Sequence, residues 1–189
     1  MINSEILNQI KCFDMILYIN CAGGLMKKVY LIGGTMGAGK TATCQLLKKE
    51  LDRSVFLDGD WCWDMHPFQV NEETKKMVLD NICHMLNNFI HCQSFDHIIF
   101  CWVMHEQGII DEIIQRLDIQ DCQVYPVSLV LDEESLRKRL QKDVDNHIRE
   151  QSVIERSVQR IPLYQQLHTI KIDVSHCTIQ DTVKKIMEL

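Results

Sequence analysis

Eight consecutive residues, Gly34-Thr35-Met36-Gly37-Ala38-Gly39-Lys40-Thr41, combine residue types suited to one chemistry, the gripping of a nucleoside triphosphate. They fit the spacing GxxxxGK[ST] and follow an apolar run, Val29 to Ile32, placed where a strand would deliver them to a helix starting near Lys40. Glycines let the backbone curl so that successive N–H groups point inward at phosphate oxygens, and the helix N-terminus adds partial positive charge. Lys40 would reach the β and γ phosphates, and the Thr41 hydroxyl would ligate Mg²⁺. The expected cofactors are therefore ATP and Mg²⁺, held by residues 34–41 with Ala42 as the next helical residue. A dinucleotide-binding turn could use Gly37 and Gly39, but its next small residue would fall at Thr41-Ala42 and the lysine would have no role. A plain glycine turn explains neither the Lys-Thr pair nor the spacing.

Asp58-Gly59-Asp60 ends a second apolar run, Val55 to Leu57. Ligands of open α/β sheets collect at the carboxyl ends of strands, so both carboxylates are expected to face the crevice of the phosphate loop. One can accept the proton of an attacking hydroxyl while the other holds Mg²⁺ or its water. Asp60 is expected to position or deprotonate the acceptor and to share the metal with Thr41, with Asp58 beside it on the substrate side. The competing reading is a strand-ending turn that uses Asp and Gly for backbone reasons. Trp61, Trp63, His66 and Phe68 concentrate aromatic surface just beyond, and Trp61 and His66 are the expected substrate contacts. If the strand continues, at least one of the two tryptophans lines the crevice.

A sheet must position these groups, and the hydrophobic pattern provides one. Short apolar runs at Val29–Ile32, Val55–Leu57, Ile98–Val103, Val124–Leu131 and Ile170–Ile172 alternate with amphipathic stretches near 40–51, 72–93, 107–117, 133–142, 153–167 and 179–188. Such alternation is the signature of βαβ units feeding a parallel sheet, with Asn71 and Asp132 as helix N-caps. The expected fold is a three-layer α/β/α domain of the P-loop NTPase type with a five-stranded parallel sheet, its right-handed crossovers placing helices on both faces.

The chain has 189 residues, 46% hydrophobic and 24% charged, which suits one ordinary globular domain. Its formal charge of −6 argues against a general nucleic-acid coat, because such binding needs Lys and Arg to displace counterions. Nine cysteines at 12, 21, 44, 62, 83, 92, 101, 122 and 177 form no CxxC pair and no zinc spacing, so free thiols in a reducing cytoplasm are expected. Met15 to Met26 is apolar but short, interrupted by Asn20 and preceded only by Lys11, which makes a poor signal peptide. Residues 1–25 therefore read as an extension without a catalytic role, and 26–189 as the domain. No run approaches the roughly 18 apolar residues of a membrane helix.

Strand, GxxxxGK[ST], helix, strand and DGD together resemble the small-molecule and nucleotide kinases of the P-loop superfamily, such as gluconate kinases, adenylylsulfate kinases and chloramphenicol phosphotransferases. The resemblance covers about residues 27–189. It implies a mobile lid after the fourth strand, at about 137–152, whose arginines clamp the phosphates and flank the adenine. Arg137 would then contact the nucleotide, and Arg139 and Arg149 would stabilise charge on the transferred group. The rival for any one arginine is a solvated helix face with (i, i+4) pairs such as Glu133 with Arg137. One departure stands out. Such kinases often place an Asp at the end of the third strand, where this chain has Cys101 and Trp102, followed by His105 and Glu106. A buried thiol is a poor magnesium ligand.

The resemblance implies an ATP-dependent phosphotransferase acting on a hydroxyl or phosphate of a small molecule or nucleotide, in the cytoplasm. The alternative is an ATP-binding regulatory protein with weak or no transferase activity, which the missing carboxylate favours. The GTPase form lacks its NKxD motif, and an enzyme of nucleic-acid ends is disfavoured by the acidic balance.

Overall fold

The computed structural model describes residues 26–189, so the reading of residues 1–25 as an extension lies outside the described residues. Five strands, β1 (Lys27–Gly34), β2 (Ser54–Asp58), β3 (His97–Cys101), β4 (Cys122–Val130) and β5 (Ile170–Asp173), form one sheet in the order β2-β3-β1-β4-β5, every pair parallel. Parallel strands covered on both faces read as unbroken apolar runs. Accordingly Val29, Tyr30, Leu31 and Ile32 of the central β1 are all at most 1% exposed. Pro126 lies within β4 but just before its pairing with β5 begins at Val127, where half the ladder is open.

The helices are α1 (Lys40–Glu50), α2 (Glu72–His91), α3 (Gln107–Arg116), α4 (Glu133–Asp145), α5 (Val153–Val158), α6 (Ile161–Gln166) and α7 (Ile179–Met187). One face of the sheet, with Tyr30, Ile32, Phe56 and Ile99, packs against Cys44 and Leu47 of α1, Leu136 and Leu140 of α4, and Val183 and Ile186 of α7. The other, with Leu31, Leu57, Ile98 and Phe100, packs against Val78, Ile82 and Leu86 of α2, Ile110 and Ile113 of α3, and Tyr164 of α6. This is the expected three-layer P-loop kinase fold, and no helix among the described residues is long and apolar enough to cross a membrane.

Asn71 and Asp132 cap their helices as their positions suggest. Asn71 Oδ1 accepts from Thr74 N–H at 2.9 Å, closing a reciprocal capping box, and Asp132 Oδ1 accepts from Ser135 N–H at 2.6 Å. Two expectations change. The stretch 153–167 is two helices, because Pro162 lacks an N–H and its ring would crowd a preceding carbonyl inside a longer helix; it sits in the first turn of α6 instead. The candidate lid at 137–152 is helical through Asp145, so only residues 146–152 stand outside regular structure.

Candidate active site

Because every strand is parallel, the chain after β1, β2 and β3 emerges at the same edge of the sheet. There the loop from Gly34 to Gly39 turns into α1. Positive φ values at Gly37 (82°) and Gly39 (91°) supply the curl. At Gly37 the neighbours also forbid a side chain, since a Cβ would meet Leu140 Cδ2 at 2.8 Å and Leu136 Cδ1 at 3.0 Å. At Gly39 nothing lies within 4 Å of that direction, so the loop opens onto free space. The first turn of α1 has neither a side-chain cap nor an acidic residue, which leaves its amides available to an anion.

Two side chains are already held in this edge. Lys40 folds back, its Nζ donating to the Gly34 carbonyl at 2.9 Å and the Thr35 carbonyl at 3.2 Å. Burial pulls its ammonium below the usual lysine range, against the opposing pull of Cys101, Asp60 and Asp58. The Thr41 hydroxyl donates to Asp58 Oδ2 at 2.7 Å, and the Asp60 N–H donates to Asp58 Oδ1 at 3.1 Å. Asp58 is thus 5% exposed with both oxygens engaged, and Asp58 rather than Asp60 adjoins Thr41.

The reason is local. After Asp58 the chain does not continue as a strand but winds into a 3₁₀ turn, Gly59–Trp63, which carries Asp60 outward to an exposed position. With three residues per turn, Trp61 and Trp63 diverge instead of sharing a face. Trp61 meets Phe56 edge-on at 5.3 Å on the α1 side of the sheet, while Trp63 packs against the core on the α2 side. Surrounding protein and the nearby Asp58 carboxylate raise the Asp60 carboxyl above the usual range; Lys40, a hydrogen bond from Trp102 and Arg149 pull the other way. His66 is exposed, without a hydrogen bond among the described residues.

At the end of β3, the Cys101 thiol is pushed well up by its hydrogen bond with Cys44 and by burial, so it stays protonated and cannot replace a carboxylate. Trp102 instead stands against Gly59. A Cβ at Gly59 would stand 2.6 Å from Trp102 Cγ and 2.8 Å from Cδ1. Gly59→Ala should therefore lower stability by about 1–3 kcal/mol, the usual cost of overpacking, seen as a lower denaturation midpoint; an unchanged midpoint would show that Trp102 yields freely. Beyond it, His105 Nε2 lies 3.4 Å from Glu106 Oε1, while its Nδ1 is closed off from water without a partner.

The arginines separate. Arg139 reaches the phosphate loop, donating to the Ala38 carbonyl at 3.4 Å and to the Val174 carbonyl after β5. Arg149 lies in the loop after α4, pairs with Asp143 at 3.1 Å and contributes to the field at Asp60. Arg137 is instead taken by Glu133 at 2.7 Å and Glu155 at 2.6 Å, so its guanidinium serves the α4–α5 contact rather than the loop. Two contacts had no sequence signal because they depend on tertiary packing. The Thr35 hydroxyl donates to the Ser157 carbonyl of α5 at 3.1 Å, and the buried Tyr164 of α6 lies against Thr35 and Val130.

Oxygen donors from Thr41 and Asp58 suit a hard cation such as Mg²⁺, and the open loop with its uncapped helix suits a triphosphate. Among the described residues no group of three or more His, Cys, Asp or Glu side chains is arranged to hold a metal.

No curated protein matches the sequence. Solved structures match its fold. A gluconokinase from Sinorhizobium meliloti 1021 superposes with a TM-score of 0.63 at 13% identity, over 88% of this chain and 92% of its own. A tunicamycin resistance protein from Deinococcus radiodurans gives 0.65 at 15% identity, over 86% and 94%. A shikimate kinase from Acinetobacter baumannii, in complex with shikimate, gives 0.58 at 21% identity, over 86% and 92%. The family model described as AAA domain matches residues 31–160, from within β1 to the start of α6. With that match spanning most of the chain and both the phosphate loop and the paired aspartates inside it, the chain belongs to the AAA domain family and carries a P-loop kinase fold.

Proposed function

We propose that the protein is an ATP-dependent kinase that transfers the γ-phosphoryl group to a hydroxyl of a small molecule. The observation that carries this reading is the juxtaposition of Lys40 and Thr41 with two carboxylates in different states, Asp58 buried and bonded to Thr41, Asp60 exposed and raised. A nucleotide-binding module has no need of the second carboxylate; a phosphotransferase needs one group on the metal side and one on the acceptor side.

Residues 34–42 hold the triphosphate with backbone N–H groups. Lys40 exchanges the Gly34 and Thr35 carbonyls for phosphate oxygens, and Thr41 with Asp58 holds Mg²⁺. When bound, ATP with Mg²⁺ supplies the phosphoryl group and neutralises part of its charge. Asp60 orients the acceptor hydroxyl and takes its proton as the new O–P bond forms and the bond to ADP breaks. Arg139 flanks the nucleotide. Arg149, in the 146–152 loop that acts as the lid, brings positive charge to the transferred group and helps exclude water. Within the domain from residue 26 onward, Arg137 has no direct part, because its two glutamates hold it. The seven free cysteines among the described residues fit a cytoplasmic setting.

The absence of a carboxylate at the end of β3 favours one other reading, a regulatory ATP-binding protein with little transferase activity. Incubation with γ-labelled ATP and Mg²⁺, with and without pooled small-molecule alcohols, separates the two. Label appearing in an acceptor supports the kinase, whereas ATP bound or slowly hydrolysed at a rate no acceptor changes supports the regulator.

A further inference from the structure

The acceptor side of the site has a chemistry that narrows the substrate class, and this inference rests on the kinase reading above. Three aromatic rings gather around the turn that carries Asp60. Trp102 stands against Gly59, Trp63 packs in the same cluster one 3₁₀ turn on from Asp60, and Phe68 leans on Trp63 with ring centroids 5.9 Å apart and planes tilted by 47°. Phe68 nevertheless leaves 66% of its surface to solvent, and Val70 beside it 57%. An aromatic surface held by a neighbouring ring but left largely bare suits a planar partner.

Charge decides what that partner is. From Ser54 to Thr74 the chain contains Asp58, Asp60, Asp64, Glu72 and Glu73 but no lysine or arginine, and from His97 to Glu106 it again has none. Lys75, at the foot of α2, is paired with Glu72 at 2.8 Å. The cations reach the site from the phosphate loop and the loop after α4: Lys40 and Arg139 bond the phosphate loop, and Arg149 is paired with Asp143, while Lys40 and Arg149 both act on Asp60 itself. An anionic group of the acceptor lying over the rings would thus face like charge, with no lysine or arginine from these two segments beside it. The buried Nδ1 of His105, without a partner, adds one hydrogen-bonding atom at the end of β3.

We propose that the acceptor is an alcohol without an anionic group, whose planar ring stacks on Phe68 and Trp63 while its hydroxyl meets Asp60. The test uses the full chain. Thermal shift with Mg²⁺ and a nonhydrolysable ATP analogue first establishes the nucleotide complex. Uncharged ring-bearing alcohols (adenosine, thymidine, pyridoxine, phenyl glucoside) are then compared with anions (gluconate, shikimate, AMP) for further stabilisation and for transfer from γ-labelled ATP. The expected result is binding and phosphorylation within the uncharged pool. Phe68→Ala should raise the KM for the accepted compound about tenfold, the loss of one stacking contact, with ATP affinity unchanged and the melting temperature of the variant recorded beside it. Preferred transfer to an anion, or an uncharged pool that neither binds nor accepts while ATP binds, overturns this inference and leaves the kinase reading standing. Failure to bind ATP at all sinks the kinase reading itself.

Discussion

Lys40→Ala is expected to reduce phosphoryl transfer by at least about 10³-fold, the scale on which a preorganised charge at a reacting group acts. The fold should survive the change. Lys40 makes no ion pair among the described residues, and its two hydrogen bonds go to carbonyls of its own loop. Its depressed ionisation also sets the sign of the stability effect. A lysine whose folded pKa lies below the unfolded value carries a penalty that sets in as pH falls through the unfolded pKa, where only the unfolded chain takes up the proton, and is fully present below the folded pKa. Removing the group relieves any such penalty, so the melting temperature of the variant should equal or exceed that of the parent. Phosphoryl transfer under saturating ATP, measured with melting temperature, checks both halves. Retained turnover would remove Lys40 from the chemistry, and a collapsed melting temperature would make it a structural residue.

The layered fold was legible because its signals are local. A four-residue apolar run buried on both faces, such as Val29 to Ile32, has few alternatives to a central parallel strand, and GxxxxGK[ST] constrains the backbone through its own glycines. Asn71 and Asp132 announced helix starts for the same reason, since a cap is a bond between residues three apart. What failed was whatever tertiary contacts decide. The 3₁₀ turn after Asp58 separates Trp61 from Trp63, and Trp102, just past the end of β3, stands against its first residue, Gly59. Cys101 and Trp102 read from sequence only as a missing carboxylate, yet Trp102 packs against the turn that carries Asp60. Arg137 and Arg139 are indistinguishable by type and spacing. Glu155, beyond the lid loop, captures one while the carbonyl of Val174 draws the other to the phosphate loop.

The sharpest test of the divided roles is the pair Asp60→Asn and Asp58→Asn. For Asp60→Asn, kcat should fall by about 10² to 10⁴-fold, the range for removing a general base, while ATP affinity stays near that of the parent. Asp58→Asn acts elsewhere. Its carboxylate is buried and accepts from Thr41, so its loss should raise the Mg²⁺ requirement and lower stability together. The pH responses follow from the raised Asp60 carboxyl. As a base it works only when ionised, so the acid limb of kcat should lie above the ordinary aspartate range and disappear in Asp60→Asn. For stability the sign reverses. A carboxyl whose folded pKa exceeds its unfolded value contributes stability at low pH that is lost as pH rises through the folded pKa. At neutral pH the parent therefore holds a charge its surroundings disfavour, and Asp60→Asn should melt higher than the parent there, with the difference shrinking below the aspartate range. A variant that loses activity and gains stability only above that pH would identify Asp60 as a carboxylate kept ionised for chemistry. One that loses both at every pH would assign it to the scaffold.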